Sequence, residues 1–358
     1  MSMEAYRKLA HHLDALPNGF PSTESGVELR LLARIFAPED ADLAAQLRLT
    51  LETPAQVAAR LGGDPRELGT HLKNLARRGQ IAVARTEQGL MYGALPFVFG
   101  IYENQVGSLD REFAQLFEDY YHEAYGRELA REPQIHRVIP VEEAVEAGID
   151  IRPYESAAEI LSQAKAWGVL DCICRTQKTL IGEPCSHPVD VCMAFSPTPN
   201  AFDQNPVIRA LTLEEAHGVL RRASEAGLVH SASNSQQDVG YLCNCCTCSC
   251  GILRGLAELG IANAVARSAF VARVAEDDCV GCDLCLDRCQ FKAMSLDGVV
   301  HIDAGRCVGC GVCSLACPEG ALHLVRRDES EVLAPPQDEA DWRRQRAQAR
   351  GLDLNAVL

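Results

Sequence analysis

Two runs of four cysteines near the end of the chain constrain its folding more than any other feature. Cys279, Cys282, Cys285 and Cys289 are spaced C-x2-C-x2-C-x3-C, and Cys307, Cys310, Cys313 and Cys317 repeat that spacing 28 residues later. Three cysteines so closely spaced wrap a loop around one face of a centre larger than a single ion. Zinc sites use two paired C-x2-C hooks per metal and carry no third cysteine with an x3 tail. Gly281 and Gly309 stand inside the loops, where the backbone must run close to whatever is held.

The two runs resemble those of bacterial ferredoxins with two [4Fe-4S] clusters, where the fourth cysteine of each run serves the other cluster. The resemblance implies that Cys279, Cys282, Cys285 and Cys317 hold one cluster, and that Cys307, Cys310, Cys313 and Cys289 hold the other. It also implies a βαβ-βαβ module over residues 271–328 and a role in moving electrons. Pro318 follows the second run as that pattern expects, whereas Gln290 occupies the matching position after the first. The departure bears on rigidity or hydrogen bonding beside Cys289 and removes no ligand.

The chain has 17 cysteines, so nine lie elsewhere, and none precedes Cys172. They form two groups: Cys172, Cys174, Cys185 and Cys192, then Cys243, Cys245, Cys246, Cys248 and Cys250. Thiolates this crowded repel one another unless a metal neutralises them. Neighbouring side chains on an extended loop diverge, so the second group cannot all serve one cluster. One or two further iron–sulfur clusters shared by both groups is the favoured reading. A zinc or mixed metal site is the second, and redox-active thiols such as Cys245 and Cys246 the third. Cys172 and Cys174 are expected at the end of a strand, where residues two apart share a side. Arg175 is expected either to tune a cluster or hold an anion, or to pair with a carboxylate. His187, also beside ligand candidates, is expected either to tune a cluster or hold an anion or, the favoured reading, to be an ordinary loop histidine.

Cys-Ile-Cys-Arg at 172–175, the Cys-Asn-Cys-Cys run at 243–246 and the terminal repeat together resemble a sparsely characterised group of 4Fe-4S dicluster proteins of anaerobic bacteria and archaea. Ser249 stands where a further cysteine is common in that group. The resemblance implies no particular activity.

Upstream of the cysteines, Val27 to Phe36 has helical periodicity. Thr53-Pro54 and Asp64-Pro65 read as N-caps followed by proline at the first helical position. The first of these helices turns Val57, Ala58 and Leu61 inward and stops at Gly62-Gly63. The second carries Leu68, Leu72 and Leu75 and ends at Gly79. Ile81–Val83 and Leu90–Tyr92 flank a polar turn, the pattern of a hairpin. Helix, turn, helix and hairpin resemble a winged helix-turn-helix. Lys73, Arg77 and Arg78 on its recognition helix, with Arg85 at the wing, suit phosphate contacts. Yet residues 1–100 hold 11 basic and 11 acidic side chains, without the excess usual in DNA-binding modules. Docking or homodimerisation through this domain is the other use.

Further on, a helix is expected over about 109–130, with Phe113, Leu116, Phe117 and Tyr120 on one face. A linker is expected over Glu132–Pro153, a helix over Ser156–Trp167, and a strand over Val169–Ile173. Thr212-x-x-Glu215 is a capping box for a helix ending near Gly227. A loop spans Phe195 to Pro206, and Asp338–Arg350 reads as a solvated, charged helix.

The expected fold class is therefore α+β and multidomain. A winged-helix-like domain (1–105) precedes a cysteine-rich α/β metal-binding domain (106–270), the ferredoxin module (271–328) and a polar tail (329–358). A net charge of −15 argues against a surface basic throughout. No apolar run reaches the length of a spanning helix, and cysteines at metal-ligand spacings suit a reducing compartment, so the expected location is the cytoplasm. Glycine-rich nucleotide loops and the C-x3-C-x2-C run of radical enzymes are absent.

The favoured function is an iron–sulfur electron-transfer protein or oxidoreductase subunit. It would relay low-potential electrons through the two ferredoxin clusters and the middle domain to a partner oxidoreductase. One alternative is a reductase with its catalytic metal among the middle cysteines; the other is a redox-sensing, winged-helix DNA regulator. No catalytic residue can be named from the sequence.

Overall fold

Local caps set the helices of the first part of the chain. The computed structural model describes residues 2–205 and 207–358; Pro206, at the end of the expected loop, lies outside them. The described chain divides into two units, one of residues 2–128, 179–183 and 343–358, the other of 129–178 and 184–342. Secondary structure is a mixture of helix and sheet.

In the first unit, α1 (Ser2–Asp14), α2 (Val27–Ile35) and α3 (Pro38–Ala44) precede α4 (Pro54–Leu61) and α5 (Pro65–Arg77). The Thr53 hydroxyl accepts from the Gln56 amide at 3.3 Å, and Gln56 Oε1 accepts from the Thr53 amide at 2.8 Å, a reciprocal capping box at α4. Asp64 caps α5 through the amides of Arg66 and Glu67. β1 (Ala82–Thr86) and β2 (Gly89–Gly93) pair as an antiparallel hairpin. Instead of one helix over 109–130, α6 (Arg111–Tyr120) passes into a π-turn (Tyr121–Tyr125) and then the single turn α7 (Gly126–Glu128). An aromatic cluster forms there, with Tyr102 and Phe117 stacked 3.8 Å apart.

The second unit is built on a six-stranded antiparallel sheet in the order β3-β7-β8-β5-β4-β6. Its strands are β3 (His136–Val138), β4 (Ala166–Leu170), β5 (Cys192–Ser196), β6 (Arg209–Leu211), β7 (Val229–Ser233) and β8 (Tyr241–Cys245). The expected linker over 132–153 thus contains an edge strand. The expected helix over 156–167 stops early: α8 spans Ala157–Gln163. Trp167 and Gly168 belong to β4, paired on both sides, and the Trp167 indole donates to the Leu161 carbonyl at 2.9 Å. Sheet pairing outweighs the helical pattern at these positions. In consequence α9 (Ile173–Leu180) starts where the strand was expected to end, so Cys174 lies in a helical first turn. α10 (Leu213–Glu225) begins at the Thr212–Glu215 capping box.

The core of this unit joins Ile160 and Leu161 of α8 and Val219, Leu220 and Ala223 of α10 to Val169, Met193, Ala232 and Leu242 of the sheet. Leu242 and Asn244 alternate along β8 with Cys243 and Cys245, which therefore share the other face. α11 (Gly251–Ala257) follows. Next, β9 (Phe270–Val274) pairs antiparallel with β12 (Leu322–Arg326), and β10 (Met294–Asp297) with β11 (Val299–Ile302). α12 (Leu284–Arg288) separates β9 from β10.

The last helix, α13 (Glu339–Arg350), corrects the expectation of a solvated tail. Trp342, Arg346 and Ala347 are buried. In the first unit, Arg346 donates to the Glu128 carbonyl at 2.9 Å, and Arg350 to Asp14 Oδ1 at 2.7 Å. Charged side chains here are spent on internal hydrogen bonds rather than on water. No helix among the described residues is long and apolar enough to cross a membrane.

Candidate metal centres

The two cysteine runs of the C-terminal region surround two separate voids. Cys279, Cys282 and Cys285 line one, together with Cys317 from the other run. Cys307, Cys310 and Cys313 line the second, together with Cys289. The two voids are similar in size. Gly281 and Gly309 have φ values of 67° and 72°. A Cβ at Gly309 would lie 2.1 Å from the Phe270 carbonyl oxygen, and one at Gly281 2.7 Å from that of Gly298. Only glycine lets the loops close at these positions. Thiolate softness, four donors per void and glycine cradles fit a [4Fe-4S] cluster at each.

The two quartets differ in exposure. Cys282 is exposed, Cys279 and Cys317 are half-buried and Cys285 is buried, whereas Cys307, Cys310 and Cys313 are buried and Cys289 is half-buried. Burial, followed by the nearby Cys307 and Cys289, pushes the Cys310 thiol up to about 12. Burial also raises Cys285, with Cys317, Cys282 and Cys279 as its charged neighbours.

The nine remaining cysteines separate into two sets. Six of them form a closed ring of neighbouring thiols. Cys172 interacts with Cys174 and Cys192, Cys174 with Cys250, Cys192 with Cys243, Cys243 with Cys245, and Cys245 with Cys250. The sheet explains the convergence. β5 sets Cys192 opposite Leu170, two residues before Cys172, while β8 carries Cys243 and Cys245 on one face. The turn after β8 returns Cys250 to the group through its amide, which donates to the Cys246 carbonyl at 3.0 Å. Proximity of Cys174 and Cys192 holds the Cys172 thiol well below its usual range against the cost of burial. Cys243 and Cys250 bring Cys245 down to about 6.

Cys185, Cys246 and Cys248 form the second set, and His187 joins them. The four donor atoms lie within 4.8 Å of one another. The Cys185–Cys246 and Cys185–Cys248 sulfur separations are 3.7 and 3.3 Å, and His187 Nδ1 is 3.0 Å from Cys185 Sγ. Sequence reasoning placed His187 beside the candidate ligands but not among them. The signal was present in Cys185-x-His187, a two-donor hook matched by Cys246-x-Cys248.

Arg175 lies between the two sets, and it is only 1% exposed. Its guanidinium donates to the carbonyls of Pro188 at 2.9 Å and Asn244 at 2.5 Å, Nε has no partner, and among the described residues it makes no ion pair with a carboxylate. Burial opposes its charge, but Cys172, Cys246, Cys245 and Cys192 more than offset this and raise its pKa overall. Its charge is met by the Pro188 and Asn244 carbonyls and by the sulfurs of Cys172, Cys246, Cys245 and Cys192. The expected carboxylate pairing of Arg175 is therefore replaced by this thiolate environment.

On the first unit's basic residues, Arg78 is tied to Asp40 at 2.8 Å, while Lys73, Arg77 and Arg85 are exposed.

Comparison with protein families finds the 4Fe-4S binding domain over residues 300–323, a span that contains Cys307, Cys310, Cys313 and Cys317. Neither the curated proteins nor the solved structures gave a match. The family match and the grouped cysteines support an iron–sulfur, electron-transfer character, with at least one [4Fe-4S] cluster.

Proposed function

We propose that this chain is an electron-transfer protein that holds two [4Fe-4S] clusters in its C-terminal module and a third in the six-thiol ring. The observation that carries the reading is the exchange of fourth ligands. Each void is lined by three cysteines of one run and the last cysteine of the other. Bound [4Fe-4S] clusters supply one-electron chemistry at potentials set by charge, hydrogen bonding and exposure. A [4Fe-4S] cluster takes four cysteine thiolates, so the six thiols of the ring are enough for one and too few for two. Arg175 offsets the negative charge that such thiolates bring into the interior.

The quartet that contains the exposed Cys282 is the proposed point of exchange with a partner oxidoreductase. Val280 and Leu284 beside it are 66% and 51% exposed. Exposed Glu276, Asp277, Asp278, Asp283 and Glu319 surround them. An apolar patch with an acidic rim suits a redox partner with a basic face, since charge complementarity speeds encounter. The helices and hairpin over 54–93 are read as a winged-helix-like docking domain, because residues 1–100 as a whole carry equal numbers of basic and acidic side chains. The cysteine chemistry suits a reducing compartment, read as the cytoplasm.

A potentiometric titration of the anaerobically isolated full chain, followed by EPR, tests the proposal. Reversible low-potential signals from two mutually interacting clusters are expected from the C-terminal module. A chain that takes up no electrons reversibly sinks the reading.

A further inference from the structure

The geometry points to a mononuclear zinc site at Cys185, His187, Cys246 and Cys248, distinct from any iron–sulfur cluster. Tetrahedral Zn²⁺ with Zn–S bonds near 2.3 Å places its ligand sulfurs about 3.8 Å apart, and a sulfur and a nitrogen about 3.5 Å apart. The observed sulfur separations of 3.7 and 3.3 Å and the sulfur–nitrogen separation of 3.0 Å lie close to these values. Three sulfurs and one imidazole nitrogen gathered around one centre suit one ion.

The donors also match zinc by type and number. Three thiolates and one imidazole complete a tetrahedron and leave no open position, the mark of a structural site rather than a catalytic one. The hydrogen bonds expected around such a site are present. The His187 amide donates to Cys185 Sγ at 3.4 Å, and the Ser249 hydroxyl to Cys248 Sγ at 3.9 Å.

The position of the site in the chain gives it a purpose. Cys185 and His187 lie between Cys174 and Cys192, and Cys246 and Cys248 lie between Cys245 and Cys250. All four flanking cysteines belong to the six-thiol ring. One ion across the two hooks therefore fixes the two segments that shape the ring, and it does so whether or not the ring binds a cluster.

X-ray absorption at the zinc edge, together with metal analysis, tests this on the full chain isolated anaerobically from medium containing both iron and zinc. The expected result is about one zinc per chain, with three sulfurs near 2.3 Å and one nitrogen near 2.0–2.1 Å. His187→Ala should lose the imidazole scattering and bind zinc at least tenfold more weakly, and His187→Cys should retain zinc with four sulfurs. Absence of zinc even after incubation with excess Zn²⁺, a four-sulfur shell in the unaltered protein, or an unchanged shell in His187→Ala would each overturn the assignment. The unaltered protein decides the matter if a variant fails to fold. Because zinc and iron are read separately, the zinc site and the electron-transfer reading can fail independently.

Discussion

The backbone amide of Thr247 donates to Gln290 Oε1 at 2.7 Å, and Gln290 Nε2 donates to the Gly227 carbonyl at 2.5 Å. Gln290 is the residue after Cys289 and takes the position where the ferredoxin pattern has proline. Thr247 sits between Cys246 and Cys248. One side chain therefore joins a cluster loop of the C-terminal module to the hook that carries two zinc donors. Proline, with no side-chain donor or acceptor, could not make this link.

Gln290→Leu should therefore disturb the middle cysteines without removing any ligand from the C-terminal module. Two hydrogen bonds to backbone groups are lost, which costs about 1–3 kcal/mol. Chemical denaturation should show that loss, and zinc should dissociate faster. Iron bound by the two C-terminal quartets should be unchanged.

Arg175→Met tests the charge balance of the ring. The change removes a buried cation and strands the carbonyls of Pro188 and Asn244, a loss of about 3–5 kcal/mol if the thiolates stay charged. Any middle cluster that still assembles should be harder to reduce, because an added electron meets less positive charge. One unit charge at an effective dielectric constant near 20 is worth on the order of 50–100 mV at this range. Redox titration of the variant against the unaltered chain reads the direction, and a more positive potential would contradict the assignment.

The unequal burial of the two quartets predicts unequal clusters. The site of Cys279, Cys282, Cys285 and Cys317 should lose iron first to oxygen or a chelator, as its sulfurs are the more accessible. The site of Cys307, Cys310, Cys313 and Cys289 should have the more negative potential, since burial penalises the extra negative charge of the reduced state. Cys317→Ala and Cys289→Ala, each depleting one site, assign the two signals. Iron loss at equal rates from both sites would contradict the burial argument.

The acidic rim predicts a salt-dependent reaction with basic partners. With a basic cytochrome c as acceptor, the second-order rate should fall steeply as ionic strength rises. Asp277→Asn combined with Asp278→Asn should lower that rate several-fold at low salt and leave the cluster potentials in place. Equal rates for the variant and the unaltered chain would remove the rim from the exchange site.

The spacing of the C-terminal cysteine runs is local and repeats, so the sequence alone suggests their grouping. The grouping of the nine middle cysteines is not legible in this way, because it depends on strand register. Cys172, Cys192, Cys243 and Cys250 meet only once β4, β5 and β8 are aligned. The helical pattern over 156–167 misled because Trp167 and Gly168 fill a place in the sheet. His187 was passed over as a ligand because a single loop histidine carries no spacing of its own until Cys185 is counted with it. Arg346 and Arg350 misled in the opposite sense: a run of charged residues reads as solvated unless its internal acceptors, here Glu128 and Asp14, are known.

The most direct test of the account is the iron and acid-labile sulfide content of the full chain isolated without oxygen. Three [4Fe-4S] clusters predict about twelve irons and twelve sulfides per chain. About eight of each would contradict the middle cluster, and about four or fewer would contradict the two-cluster module on which the electron-transfer reading stands.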